Sequence, residues 1–219
     1  MSDRERLMPW PRVAIGFAGT NRDDILPGAP GWSTWVHPCM GPRIEQMGYH
    51  ADAVTAWFDM HREKIWRQPK PWRDEYPAWL AARQAPIVMQ EAWEDIPASV
   101  AYPRAAIAAA FPGAPFHGTF DWMMALAIHW GATDILCHGA DYTSAHEFHF
   151  QRPAAWYWIG VARGRGIAVR PGVLMEAPNP RGEYGYDYPP WPRGMHPHGR
   201  AWTRMPCCRG LDRYRGGKR

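Results

Sequence analysis

Residues 116–142, FHGTFDWMMALAIHWGATDILCHGADY, decide the fold class. Phe120 to Trp130 is apolar almost all round, the mark of a helix covered on more than one side. Thr119 is its expected N-cap, with a hydroxyl that can accept from a first-turn N–H. Asp121 suits the positive end of the helix dipole, and Gly131 supplies the left-handed residue that ends the helix. Ile135 to Cys137 then forms an apolar run too short for a helix and suited to an interior strand of a parallel sheet. The strand runs out at Gly139-Ala140-Asp141. Open α/β sheets bind their ligands at strand ends of this kind, so Gly139 and Asp141 are candidate site residues.

Toward the N-terminus the same alternation repeats. Val13 to Phe17 is a compact strand followed by the polar loop Gly19-Thr20-Asn21-Arg22-Asp23-Asp24, the place where doubly wound folds hold phosphates. Arg22 can pair there with a phosphate or with the neighbouring Asp23 and Asp24. Ser33 to Val36 reads as a second strand and Gly41 to Gly48 as a weak helix or turn. Ala53 to His61 reads as a strand that ends polar. Side chains alternate across a strand, so Asp59 and His61 face one side. Such a pair can bind a metal or share a proton; the alternative is a buried histidine bonded to a backbone carbonyl. Arg62 to Trp79 reads as an exposed excursion, with a short helix from Tyr76 to Arg83.

Pro86 to Gln90 is a further strand, Ile96 to Tyr102 is irregular, and Arg104 to Phe111 is a helix stopped by Pro112-Gly113. Beyond Asp141, Pro153 opens a second apolar helix filled by Trp156 to Ala162, and Ile167 to Val169 is a last strand. About six short strands alternating with helices predict a mostly parallel α/β sheet covered on both faces, of Rossmann-like type. The reading gives one domain over residues 1–176 and an irregular tail, rich in Pro, Gly and Arg, over residues 177–219.

Composition sets outer limits. Hydrophobic content of 46% and charged content of 21% are those of a folded soluble protein. No apolar run reaches the roughly 20 residues that span a bilayer. The charged start MSDRERLMPWPR argues against a secretory signal. Four cysteines, two of them adjacent (Cys207, Cys208), give no disulfide framework, and a cytoplasmic location is the simpler assumption. The net charge of +4 resides in the tail: from Arg200 onward seven Lys/Arg oppose Asp212, giving +6, and the remainder is −2. Such a tail can meet a weak acidic partner or stay solvated; the body has no charge argument for nucleic acid. The 14 tryptophans can stack on sugars or bases. Several sit beside prolines (Pro9-Trp10-Pro11, Pro71-Trp72, Pro190-Trp191-Pro192), where a ring can pin a loop to the body. The sequence holds no P-loop, GxSxG, HExxH or kinase signature. His196, His198 and the adjacent Cys207-Cys208 make a poor zinc set, because neighbouring cysteines do not easily share one tetrahedral ion.

Three pieces carry a resemblance: Gly118-Thr119, the helix end Ala125 to Gly131, and the strand Ile135 to Asp141 with its Gly-x-Asp. Together they resemble a Rossmann-like family that includes bacterial lipooligosaccharide sialyltransferases and the archaeal MptE-like diphosphotransferases. Ala56-Trp57-Phe58-Asp59 is similar to the sialyltransferase strand ending in Phe-Asn. Trp57 to His61, Gln151-Arg152-Pro153 and Tyr157-Trp158-Ile159-Gly160 also resemble uncharacterised phage and prophage proteins. The first-strand loop departs, with Gly19-Thr20-Asn21 where the family has Gly-Pro-Ser.

The resemblance implies a nucleotide lying across the strand ends, its phosphates near Gly19 to Arg22 and the Gly118-Thr119 loop. It also implies a general-base histidine after the Gly-x-Asp strand, where His146 and His149 lie, with Tyr142 and Tyr157 nearby; His61 is the rival base. The first expectation is therefore a nucleotide-dependent glycosyltransferase taking a CMP- or UDP-sugar, without metal. The alternatives are an MptE-like diphosphotransferase, with Mg²⁺ held by Asp59 and Asp141, and a non-catalytic nucleotide-binding or phage accessory protein. An oligomer is compatible with the sequence, and no interface is specified by it.

Overall fold

The fold is described from a computed structural model, which defines residues 2–17, 30–38, 53–68, 75–139, 142 and 147–170. All elements below lie within Met1–Glu176. The loop 18–29, the helix or turn expected at 41–48, and the tail 177–219 lie outside the described residues.

Among the described residues seven strands form one sheet, and every pairing in it is parallel. The strands are β1 (Arg12–Phe17), β2 (Ser33–His37), β3 (Ala56–Asp59), β4 (Ile87–Met89), β5 (Ser99–Ala101), β6 (Asp134–His138) and β7 (Ala168–Arg170). Their order across the sheet is β5-β4-β3-β2-β1-β6-β7. The chain steps outward from β1 through β5, then crosses back to place β6 on the other side of β1. The strand order therefore reverses between β1 and β6, and the carboxyl ends of Phe17 and His138 flank that switch point.

Alternating side chains send two sets of apolar residues to opposite faces. Val13, Ile15, Trp35, Phe58, Val88, Ile135 and Cys137 join one buried cluster. That face is covered by α4 (Arg104–Ala110), α5 (Thr119–His129) and α6 (Arg152–Gly164). Val36, Trp57, Ile87 and Met89 join a second cluster with Trp66, Tyr76, Trp79 and Leu80, carried by α2 (Glu63–Trp66) and α3 (Tyr76–Ala81). A further short helix, α1 (Asp3–Leu7), is tied to β2 by the Trp35 indole N–H, which donates to Leu7 O at 2.7 Å. Helices thus lie on both faces of a parallel sheet, the Rossmann-like α/β arrangement. No helix among the described residues is long and apolar enough to cross a membrane.

The all-round apolar character of α5 has a direct cause. It lies on β1 and β3 with α6 packed beside it, and eight of its eleven residues are buried. Each large apolar side chain so enclosed contributes about 1.5–3 kcal/mol. Gly131 ends the helix at φ 81°, as its sequence position predicts. The N-cap is Gly118 and not Thr119. The Asp121 carboxylate supplies the capping acceptor, taking the amides of His117 at 2.6 Å and Gly118 at 3.0 Å.

Other departures are equally local. Ile96 to Tyr102, irregular by its sequence, contains β5, a seventh strand. Its three residues pair with β4, after a bridge between Trp93 and Ile96 that Ser99 closes through its hydroxyl. The strand expected over Ala53 to His61 is confined to Ala56–Asp59. In the described parts of Arg62 to Trp79, residues 62–65, 68, 75 and 78 are exposed as expected and the short helix starts at Tyr76, while Trp66, Tyr76 and Trp79 are buried in the second cluster. Trp10, between its two prolines, is 51% exposed, whereas Trp35, Trp57, Trp66 and Trp158 are wholly inside. Pro71-Trp72 and Pro190-Trp191-Pro192 lie outside the described residues.

Candidate functional site

β3 carries four consecutive buried residues, Ala56-Trp57-Phe58-Asp59, and the last is a carboxylate with 0% exposure. A buried charge must be fully partnered, and Asp59 is. Its Oδ1 accepts from the backbone N–H of His61 at 3.0 Å and from His61 Nδ1 at 2.7 Å. Its Oδ2 accepts from the Tyr76 hydroxyl at 2.7 Å. The first of these is the aspartate turn, in which a carboxylate bonds the amide two residues on. That turn ends the strand and folds the His61 ring back over the carboxylate.

Burial alone would push the Asp59 carboxyl up. The hydrogen bond and positive charge of His61, the charge of His37 and the Tyr76 hydroxyl together outweigh burial and hold it at about 2. Asp59 is therefore an acceptor only, so Nδ1 of His61 carries a hydrogen, and in the neutral ring Nε2 carries the lone pair. The His61 side chain is 41% exposed. No described residue hydrogen-bonds its Nε2. A part-exposed imidazole oriented by a buried carboxylate is equipped to take a proton from a hydroxyl or water.

The neighbouring strand ends complete this corner. His37, the last residue of β2, is 7% exposed, and its Nδ1–H donates to Phe58 O at 2.9 Å. Its ring centroid lies 5.5 Å from that of His61. Just past β4, the Gln90 amide donates to Met60 O at 3.0 Å. Tyr76 is fixed by stacking on Trp79, which in turn packs edge-on against Trp57. The pair Asp59–His61 thus sits on a rigid floor at the carboxyl edge.

The remaining expected residues fall elsewhere. Gly139, at φ 69°, and Tyr142, at φ 50°, follow β6 across the switch point. β3 and β6 are separated by β2 and β1, so Gly139 stands about 14 Å from the dyad along the sheet edge, three strand spacings of roughly 4.8 Å. Tyr142 is buried with its ring against Phe120 at 6.3 Å. His149 is exposed on a π-helical turn, Glu147–Gln151, before α6. Gly118 and Thr119 open α5, but the Gly118 amide is already committed to Asp121. Burial pushes the Asp121 carboxyl up to about 7, against the two amide hydrogen bonds that favour its anion. Gly19, Thr20, Asn21, Arg22, Asp141 and His146 lie outside the described residues.

Asp59 is poorly suited to hold Mg²⁺. It is wholly buried, and its oxygens already serve three donors. No group of three or more His, Cys, Asp or Glu among the described residues is placed to bind a metal ion.

Two members of the corner, His37 and Tyr76, do not stand out in the sequence. His37 carries a legible signal, a polar residue closing an apolar strand as Asp59 closes the next. Tyr76 carries none, because its role arises only when α3 packs on β3. Compared with known protein families, characterised proteins and solved structures, the chain matches none.

Proposed function

We propose that the protein is a nucleotide-dependent transferase, a glycosyltransferase-like enzyme in which His61 is the general base and Asp59 holds it. The observation that carries this reading is the 2.7 Å contact between His61 Nδ1 and the buried Asp59 carboxylate at the carboxyl edge of a parallel sheet. In the reaction Nε2 takes the proton of an acceptor hydroxyl. The acceptor oxygen forms a bond to the sugar's anomeric carbon, and the bond from that carbon to the phosphate oxygen breaks. Its electron pair leaves with the nucleotide, and the imidazolium that forms is stabilised by Asp59. A nucleotide sugar laid along the strand ends is long enough to reach from the switch point to His61. The Mg²⁺ route of a diphosphotransferase gains no support from Asp59, whose oxygens are taken. His61 is favoured over His149 as the base because a buried carboxylate holds its Nδ1 at 2.7 Å and its side chain is 41% exposed; His146 lies outside the described residues.

The test is thermal stabilisation by CMP, UDP and their sugars, measured in EDTA. A ligand at 100 times its Kd adds about 2.7 kcal/mol to stability, a shift of roughly 5–10 °C for a chain of this size. The expected result is stabilisation by one nucleotide family without metal. Silence across the panel, or stabilisation by ATP only with Mg²⁺, overturns the proposal.

A further inference from the structure

Arg62 follows the candidate base directly, and no described residue neutralises it. Its backbone is extended, at φ −65° and ψ 151°. Its carbonyl accepts the amides of Ile65 at 2.8 Å and Trp66 at 3.3 Å, and Trp66 is 1% exposed. The root of the side chain is therefore fixed beside His61, while its guanidinium is left to solvent.

No described acid pairs with Arg62. Arg67 takes Glu63 through Nε at 2.8 Å and Asp95 through both terminal nitrogens, at 2.5 and 2.9 Å. Asp59 is spent on His61 and Tyr76. Glu91 and Glu94, exposed after β4, make no ion pair with Arg62. One arginine in this corner thus absorbs two carboxylates while its neighbour five positions earlier absorbs none. Adjacent Cα atoms are about 3.8 Å apart, so a long, exposed side chain rooted at residue 62 can swing to a group held at His61. Its planar fork of donors matches two oxygens of a phosphate.

We infer that Arg62 binds a phosphate group of the substrate beside His61, which makes the substrate class a phosphate ester whose reacting centre lies next to that phosphate. This inference rests on the reading of the Asp59–His61 pair as the reactive centre.

The experiment follows the His61 ring by NMR, its resonance assigned by its loss in His61→Gln. Inorganic phosphate, CMP and uncharged cytidine are titrated at constant ionic strength. Phosphate and CMP are expected to move the resonance saturably, and CMP is expected to bind more tightly than cytidine. Arg62→Gln, an exposed position where folding is not at stake, is expected to weaken phosphate and CMP at least tenfold. Lys64→Gln, an exposed cation on α2, is expected to change either by less than twofold. Phosphate that leaves the His61 resonance unmoved, or binds Arg62→Gln as tightly as wild type, overturns the inference. The two readings fail separately. Donor turnover with an unchanged KM in Arg62→Gln sinks the phosphate role and leaves the transferase standing. Phosphate binding through Arg62 with no donor turned over sinks the transferase and leaves the phosphate role standing.

Discussion

His61 and Asp59, two residues apart, meet twice at one oxygen: the backbone N–H at 3.0 Å and the ring Nδ1 at 2.7 Å both reach Asp59 Oδ1. The same short turn therefore ends a central strand, satisfies a buried charge and selects the imidazole tautomer. Removing the carboxylate should damage catalysis and stability together. Removing the imidazole should damage catalysis and also cost stability, because its Nδ1–H is a donor to the buried carboxylate.

Asp59→Asn keeps the shape of the side chain but lets its amide present a donor to Nδ1, favouring the wrong tautomer. Donor turnover should fall about 10²–10⁴-fold, with nucleotide binding changed far less. Steady-state kinetics beside calorimetric binding will check this, and an equal loss in both would instead indicate a collapsed site.

The same carboxylate makes a pH prediction. Its folded-state pKa, at about 2, lies below the ordinary aspartate value of 3.8. The folded protein therefore binds the proton less tightly than the unfolded chain, and the stabilisation from the ionised carboxylate is fully present above about pH 4. It is lost as pH falls from there toward 2, and amounts to about 2 kcal/mol. Urea unfolding between pH 2 and 6 should show this acid limb in wild type and not in Asp59→Asn.

Tyr76→Phe removes one hydroxyl donor to the buried carboxylate. A hydrogen bond to a charged group contributes about 1.5–3 kcal/mol, so the variant should unfold at lower denaturant with an unchanged m-value. The acid limb should also move to higher pH, because one support of the Asp59 anion is gone.

Asp121 behaves in the opposite sense. Burial raises its folded-state pKa to about 7 from 3.8, so the native state holds a proton that the unfolded chain releases. Its contribution is most favourable below pH 4 and declines as pH rises to about 7. Asp121→Asn keeps an oxygen for the His117 and Gly118 amides and removes that decline. Stability measured from pH 4 to 8 should slope less in the variant than in wild type.

Cys137 lies inside the sheet with 0% exposure, and burial pushes its thiol up to about 12. A thiolate reagent at pH 7.5 should leave the Cys137 peptide unmodified in native protein and modify it in urea, as read by peptide mass spectrometry.

Much of the fold is legible in the sequence because its strongest signals are local. Ile135 to Cys137, Val13 to Phe17 and the all-round apolar helix ending at Gly131 each announce an interior element by length and pattern. β5 is hidden because Ser99, Val100 and Ala101 are three partly exposed residues whose strand character comes from pairing with Met89 and its neighbours. At the site, the two-residue spacing of Asp59 and His61 at a strand end is legible from the chain alone. His37 is marked only as a polar residue closing a strand, and its bond to Phe58 O across adjacent strands comes from the fold; Tyr76 is not marked at all, since it reaches Asp59 from a helix seventeen residues away. The cap of α5 misleads for a related reason. Thr119 and Asp121 both suit a helix start, and only the fold shows that the carboxylate wins.

The measurement that bears most directly on the dyad is release of nucleotide from CMP- and UDP-sugars by wild type and His61→Gln, in EDTA, with folding of both checked by circular dichroism. Wild type should release nucleotide from one of these donors, and His61→Gln should do so at least 10²-fold more slowly while still binding it. Equal rates in the two proteins, or no release by folded wild type from any donor, would contradict the assignment of His61 as the base of a transferase.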